Sequence, residues 1–228
     1  MKFNVIKTEI DFTEEQIMNE PMFFCASLDF AYSYKESKIT KEFLNHPEIQ
    51  KVVCGKPSLN SNEWYIDSRV HMLKQGWFPC IGGWHLDDVP RGLDSGQPLV
   101  SDIEKDKVFH ILCCVGNTSM PEFLVSNRTE FLIENIYNNW KTKYKNKYNK
   151  SFYGYANEYI NLLSTEKERK KIESGDIVFF DQTHFHRGTF AQKNGWRFFI
   201  RFSYGVKRKF RNKIRKQVQV YMDTNKGW

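Results

Sequence analysis

Gly175-Asp176-Ile177-Val178-Phe179-Phe180-Asp181-Gln182-Thr183-His184-Phe185-His186-Arg187-Gly188 reads as a strand running into a histidine-bearing turn. The run Ile177 to Phe180 is β-branched and aromatic, which suits a buried pleated segment. Eleven residues past His186 stands Arg197, inside a second strand-like run from Trp196 to Tyr204. Side chains alternate along a strand, so Arg197, Phe199, Arg201 and Ser203 share one face. Two arginines on one face of an otherwise aromatic strand are costly to bury unless anions meet them. A dicarboxylate would satisfy at least one, through the paired hydrogen bonds that a guanidinium offers.

About a hundred residues before His186, the stretch Trp84-His85-Leu86-Asp87-Asp88 contains an H-x-D. On extended backbone, residues i and i+2 point the same way, so His85 and Asp87 can reach one metal ion. Taken alone the match is weak. Six histidines and 27 acidic residues in 228 give roughly 0.7 matches to H-x-[DE] by chance. Just upstream, Glu63 to Leu73 alternates as a strand should. Trp64, Ile66, Ser68, Val70 and Met72 fall on one face, and Tyr65, Asp67, Arg69, His71 and Leu73 on the other. The second face is expected to be solvated. If it points inward instead, Arg69 and His71 line a ligand pocket.

The remaining pattern is that of one domain over residues 1–228, with a core at about 63–206 and a basic extension at about 207–228. An apolar share of 40% with 16% aromatics suits a packed core. Short helices are expected over Thr13 to Glu20 and Glu36 to Asn45, each stopped by a proline, and longer ones over Thr129 to Tyr144 and Glu166 to Ile172. Val108 to Val115, Asp176 to Asp181, Trp196 to Tyr204 and Gln217 to Met222 read as strands. Short strands with glycine turns, and helices mostly outside them, imply a mainly β sandwich or barrel with helical support.

Cys25, Cys54, Cys80, Cys113 and Cys114 are odd in number and include no C-x-x-C pair, which points to buried free thiols rather than disulfides or zinc. No apolar run approaches the ~18 residues needed to cross a bilayer. A soluble, cytoplasmic protein is expected, with no membrane partner. The formal net charge is +7, and the excess is clustered. Lys141 to Lys150 holds five lysines, and Lys207 to Lys216 holds seven basic residues and no acid. Such a surface favours polyanions, nucleic acid above all. A plain solvated face is the alternative.

Together these residues resemble a known family. H-x-D, a distal histidine about a hundred residues later and an arginine some ten residues beyond it are similar to the signature of Fe(II)/2-oxoglutarate oxygenases, in the spacing of the phytanoyl-CoA and taurine dioxygenase-like branch. The resemblance covers roughly Tyr65 to Tyr204, with its matching residues in two short segments. It implies a double-stranded β-helix, or jelly-roll, core. It implies iron(II) held by His85, Asp87 and His186, three residues that occupy one face of an octahedral ion and leave positions for 2-oxoglutarate and dioxygen. It further implies a hydroxylase-type dioxygenase, oxidising an unactivated C–H bond while 2-oxoglutarate is converted to succinate and carbon dioxide. Arg197 would hold the distal carboxylate of the cosubstrate.

Several alternatives stand beside this reading. His184 has the same strand parity as His186, but the spacing to Arg197 favours His186. His184-Phe185-His186 is also an H-x-H, as in cupins, yet Phe190-Ala191 stand where a cupin would carry a glutamate. Arg201 could contact the cosubstrate, grip an acid on the substrate or form an ion pair, and Ser203 could assist, since Arg201-Phe202-Ser203 resembles the R-x-S motif of another branch. The substrate is expected to be a nucleic acid or nucleotide, met by the basic extension. The alternatives are a small acidic metabolite or amino acid, and, in another class, a non-catalytic nucleic-acid-binding jelly-roll protein.

Overall fold

Two-faced strands organise the molecule. A computed structural model describes residues 2–53, 63–80, 82–93, 96–103, 105, 107–144 and 150–222. In chain order, β1 (Asn4–Ile6), α1 (Glu14–Met18), β2 (Phe23–Phe24), β3 (Ala26–Ser27), α2 (Leu28–Ser33), α3 (Lys38–Asn45) and α4 (Pro47–Val53) precede the long strand β4 (Trp64–Leu73). Then come β5 (Phe109–Gly116), β6 (Glu122–Leu124), α5 (Ile133–Tyr144) and α6 (Phe152–Leu163). The last elements are β7 (Arg169–Lys171), β8 (Ile177–Asp181), β9 (His186–Arg187), β10 (Gly195–Tyr204) and β11 (Lys213–Ile214).

The larger sheet has the order β1-β8-β5-β10-β4-β3, with every neighbouring pair antiparallel. One face is mainly apolar, with the buried Ser68 hydroxyl bonded to the backbone of Phe23 and Pro21. Trp64, Ile66 and Val70 of β4, Ile111, Cys113 and Val115 of β5, and Phe198, Ile200 and Phe202 of β10 form a continuous core with Ile17, Ala31, Phe43 and Ile49 from α1 to α4. The other face meets a smaller antiparallel sheet, β7-β6-β9, through Leu112, Cys114, Val178 and Phe180 on one side and Phe123 on the other. Helices α5 and α6 pack outside that layer against Trp84, Leu86 and Phe185. The protein is thus mainly β, antiparallel, with flanking helices.

The departures from the sequence reading have physical causes. The second short helix does stop before Pro47, since α3 ends at Asn45 and His46 is extended, but Pro47 then opens a further helix, α4, at the first helical position where its missing N–H costs nothing. The expected helix over Glu166 to Ile172 is a single 3-10 turn, Glu166–Glu168, after which the chain becomes β7. Thr165 and Glu168 close a capping box on that turn, and Lys171 then stands opposite Glu122 across the ladder. The helix expected from Thr129 begins only at Ile133, behind a 3-10 turn, and Leu132 of its proposed stripe is exposed. Gln217 to Met222 is not a strand. Only Tyr221 pairs, its N–H and C=O exchanging hydrogen bonds of 2.9 and 2.8 Å with Phe78.

The basic extension packs back onto the domain. β11 pairs with β2, Arg211 and Arg215 lie over the Phe24 ring, and Arg215 reaches Asp67 at 3.2 Å. Part of the Lys141 to Lys150 cluster, and residues 223–228, lie outside the described residues.

A buried carboxylate ties α3 to the rest. Glu20 is 5% exposed and accepts the backbone N–H groups of Lys38, Ile39 and Thr40, each at 2.9 Å. Those donors open a helix and have no partner within it. Glu20→Ala is expected to lower folding stability by about 2 kcal/mol in urea denaturation. An unchanged midpoint would show that the cap contributes nothing.

Candidate metal centre and its cavity

Two reciprocal backbone hydrogen bonds bring the halves of the site together. His85 N donates to His186 O at 2.9 Å, and His186 N donates to His85 O at 3.0 Å, so the two histidines face each other as an antiparallel pair. The segment carrying His85 is fixed by its neighbour. Trp84 is fully buried, its indole donates to Asn161 Oδ1 at 3.0 Å, and the Arg187 guanidinium lies 4.5 Å from its ring centre.

The side chains of His85, Asp87 and His186 converge, with one ligand atom from each lying within 4.8 Å of the others. Each imidazole is oriented by a backbone carbonyl: Nδ1 of His85 donates to Gly83 O at 2.9 Å, and Nδ1 of His186 donates to His184 O at 3.0 Å. A carbonyl only accepts, so each ring carries its proton on Nδ1 and turns Nε2 toward the centre. Nε2 of His186 stands 3.0 Å from Asp87 Oδ2. Lone pair then faces carboxylate unless a proton or a metal cation lies between them. Two imidazoles and one carboxylate fit a divalent transition metal with open positions.

The electrostatics agree. Burial would raise the Asp87 carboxyl, but Arg201 above all, then His186 and His85, outweigh it and hold Asp87 well below the usual carboxylate range. Burial, with His186 beside it, pushes His85 down to about 4, so it is neutral at physiological pH, the form that ligates a metal. Arg201 donates to Asp87 Oδ2 and, at 3.2 Å, to Asp88 Oδ2. Arg208 of the basic extension donates to the other oxygen of Asp88. Of the three uses open to Arg201, an ion pair is the one seen.

A cavity of about 250 Å³ opens beside the triad. Arg197 lines it, is 2% exposed, and donates through Nη1 to the carbonyl of Ser119. Ser119 holds a left-handed backbone (φ +51°) and is braced by its hydroxyl, which donates to Thr189 O at 2.5 Å. No carboxylate pairs with Arg197 among the described residues, and its Nε has no partner. His184 lies outside the cluster, where its Nδ1 meets Asp181 Oδ1 at 2.9 Å. Ser203 is buried against His110, 2.9 Å from Oγ to Nδ1, and is not part of the cavity wall.

The polar face of β4 turns inward, against the expectation that it is solvated. Register sets this: His71 pairs with Arg197 and Arg69 with Phe199 across the β4–β10 ladder, and paired residues project to the same side. Arg69 and His71 therefore line the cavity with Arg197. Tyr221 also lines it and carries no sequence signal, because its place depends on the long-range pairing with Phe78.

Neither the known family models nor the curated proteins include a match to this sequence. Solved structures similar to it include a 2OG-Fe(II) oxygenase family oxidoreductase from Burkholderia pseudomallei, at 10% identity and a TM-score of 0.37 over 92% of this chain and 71% of that one. The non-heme monooxygenase ThoJ, in a nickel complex, is similar at 10% identity and a TM-score of 0.38 over 86% and 77%. EvdO2 from Micromonospora carbonacea var. aurantiaca, complexed with 2-oxoglutarate, is similar at 9% identity and a TM-score of 0.34 over 78% and 69%. Overlaps this loose say nothing of what this chain does.

Metal titration of the purified chain is expected to show one tight divalent site. His85→Ala, Asp87→Ala and His186→Ala should each weaken it by at least about 100-fold, since loss of an outer partner alone costs 10–100-fold. His184→Ala should leave it intact. Equal loss in the His184 variant would contradict the assignment.

Proposed function

We propose that the chain is an Fe(II)- and 2-oxoglutarate-dependent dioxygenase of the hydroxylase type, built on a jelly-roll core. The observation that carries this reading is the pairing, in one cavity, of a His-Asp-His cluster with a buried arginine that has no carboxylate partner among the described residues. His85, Asp87 and His186 would hold iron(II), and Arg197 would take the distal carboxylate of 2-oxoglutarate. When bound, the metal supplies the means to activate dioxygen. In sum, 2-oxoglutarate, dioxygen and a C–H substrate give succinate, carbon dioxide and the hydroxylated product.

The protein's own groups do the rest. Arg201 holds the Asp87 carboxylate in place from one side, while Asp88 and Arg208 extend the network to the extension beyond β10. Phe199 forms part of the wall between Arg197 and the centre and, with Leu112, limits the water that reaches it. The position of Arg197, eleven residues past His186, favours the phytanoyl-CoA and taurine dioxygenase-like branch. The free thiols of Cys25, Cys113 and Cys114, all buried, suit a reducing cytoplasmic setting. No helix of the described residues is long and apolar enough to cross a membrane.

Between the substrate classes, two observations favour a small acid over nucleic acid. Base chemistry on duplex needs a pocket that admits a flipped nucleotide, and this cavity, at about 250 Å³, is small and carries four arginines in its wall beside Phe199 and Tyr221. The arginines of the basic extension are also engaged with Asp88, Asp67 and Phe24.

Anaerobic loading with iron(II) and 2-oxoglutarate, followed by succinate release in air, tests the activity. Wild-type protein is expected to form succinate slowly even without a substrate. Arg197→Gln should raise the KM for 2-oxoglutarate by at least about tenfold, the cost of one charged hydrogen-bonded contact. A fully metal-loaded protein that neither binds 2-oxoglutarate nor releases succinate would overturn the assignment.

A further inference from the structure

The charges of the cavity do not balance, even when the proposed cosubstrate is counted. Four arginines line it, Arg69, Arg187, Arg197 and Arg201, against the single carboxylate of Asp87. Two of the four are neutralised. Arg187 pairs with Glu122 at 2.6 Å, and Arg201 pairs with Asp87 and Asp88. Arg69 and Arg197 have no ionic partner among the described residues. 2-Oxoglutarate brings two carboxylates, one for the metal side of the cavity and one for Arg197. Arg69 is left over.

Its surroundings make that unfavourable in the absence of a ligand. Arg69 is half-buried, with the Phe199 ring centre 6.0 Å from its guanidinium. Burial, together with the like charges of Arg201 and Arg215, pushes it below its ordinary value, and Asp67, the nearest acid, is engaged by Arg215. Two residues along the same face of β4 lies His71, 1% exposed, whose ring makes no well-formed hydrogen bond and has only the backbone of Pro79 as a polar neighbour. A buried imidazole so poorly matched is costly in a native fold. A guanidinium without an ionic partner and a poorly matched imidazole, on one wall of one cavity, describe a missing acceptor.

We propose that Arg69 and His71 form a second anion subsite, beside the one at Arg197, that holds the carboxylate of the primary substrate, so that the substrate is a small organic acid. This inference rests on the dioxygenase reading for the word substrate, but the subsite itself does not. A carboxylate there accepts the paired N–H groups of Arg69 through one edge and a ring N–H of His71. Size sets the second limit. Small-molecule sites usually span roughly 300–1,000 Å³, and this cavity is smaller, so a compact acid is what fits once 2-oxoglutarate is in place.

The test is calorimetric and independent of turnover. Protein loaded with manganese(II) and saturated with 2-oxoglutarate, without oxygen, is titrated with acetate, inorganic phosphate and, as a neutral control, acetamide. The account predicts that one acetate binds per chain and acetamide does not. Arg69→Gln should weaken acetate by at least about tenfold while 2-oxoglutarate affinity is retained, and Arg69→Lys should restore part of the loss. Phosphate binding tighter than acetate would replace the carboxylic acid by a phosphate ester and overturn that part of the proposal. Absence of acetate binding, or a variant that loses 2-oxoglutarate instead of acetate, would overturn the subsite. If wild-type protein fails to bind 2-oxoglutarate at all, the dioxygenase reading falls; acetate binding that still depends on Arg69 would then uphold the anion subsite alone.

Discussion

Everything at the centre depends on one pair of backbone hydrogen bonds, those exchanged by His85 and His186. They join a loop to a two-residue strand across about a hundred positions of sequence, and they fix both imidazoles before any metal arrives. The carbonyls of Gly83 and His184 then choose the tautomer of each ring. Such preorganisation matters because a ligand set that must be assembled at binding loses affinity to the entropy of ordering it. Trp84, buried and bonded to Asn161, keeps the loop from drifting away from β9.

The second constraint is charge. The larger sheet turns one face to a hydrocarbon core and the other, along β4 and β10, to a row of cationic and polar groups. A folded protein tolerates such a row only where carboxylates or ligands neutralise it. Asp87 and Asp88 neutralise Arg201, and Asp67 neutralises Arg215. The remaining cations mark where ligands belong, which is why unmatched groups in the cavity say more about function than matched ones.

That His85 and Asp87 share a side was legible in the sequence, because i and i+2 on extended chain project together. So was the need of an arginine such as Arg197 on an aromatic strand for an anion. His186 joined them only through the family resemblance, and the structure brings the three side chains together. The strands β4, β5, β8 and β10 were legible from such local rules. What failed was whatever depends on a partner far along the chain. The polar face of β4 could be read as solvent-facing because alternation gives two faces without saying which one meets another layer. Arg69 and His71 were therefore cavity residues only on the less favoured alternative that this face points inward, the one the structure shows. Glu166 to Ile172 has helical composition, yet its lysines serve as the outer edge of the smaller sheet. The basic extension read as a surface for polyanions or a solvated face because nothing local marks Asp88 and Asp67 as its partners, or Tyr221 as part of the cavity wall.

X-ray absorption spectroscopy on the iron(II)-loaded chain tests the central claim most directly. The account predicts a coordination sphere of nitrogen and oxygen with the scattering pattern of two imidazoles, altered when 2-oxoglutarate is added without oxygen. Sulfur in that sphere, fewer than two imidazoles, or a spectrum indifferent to 2-oxoglutarate would contradict it.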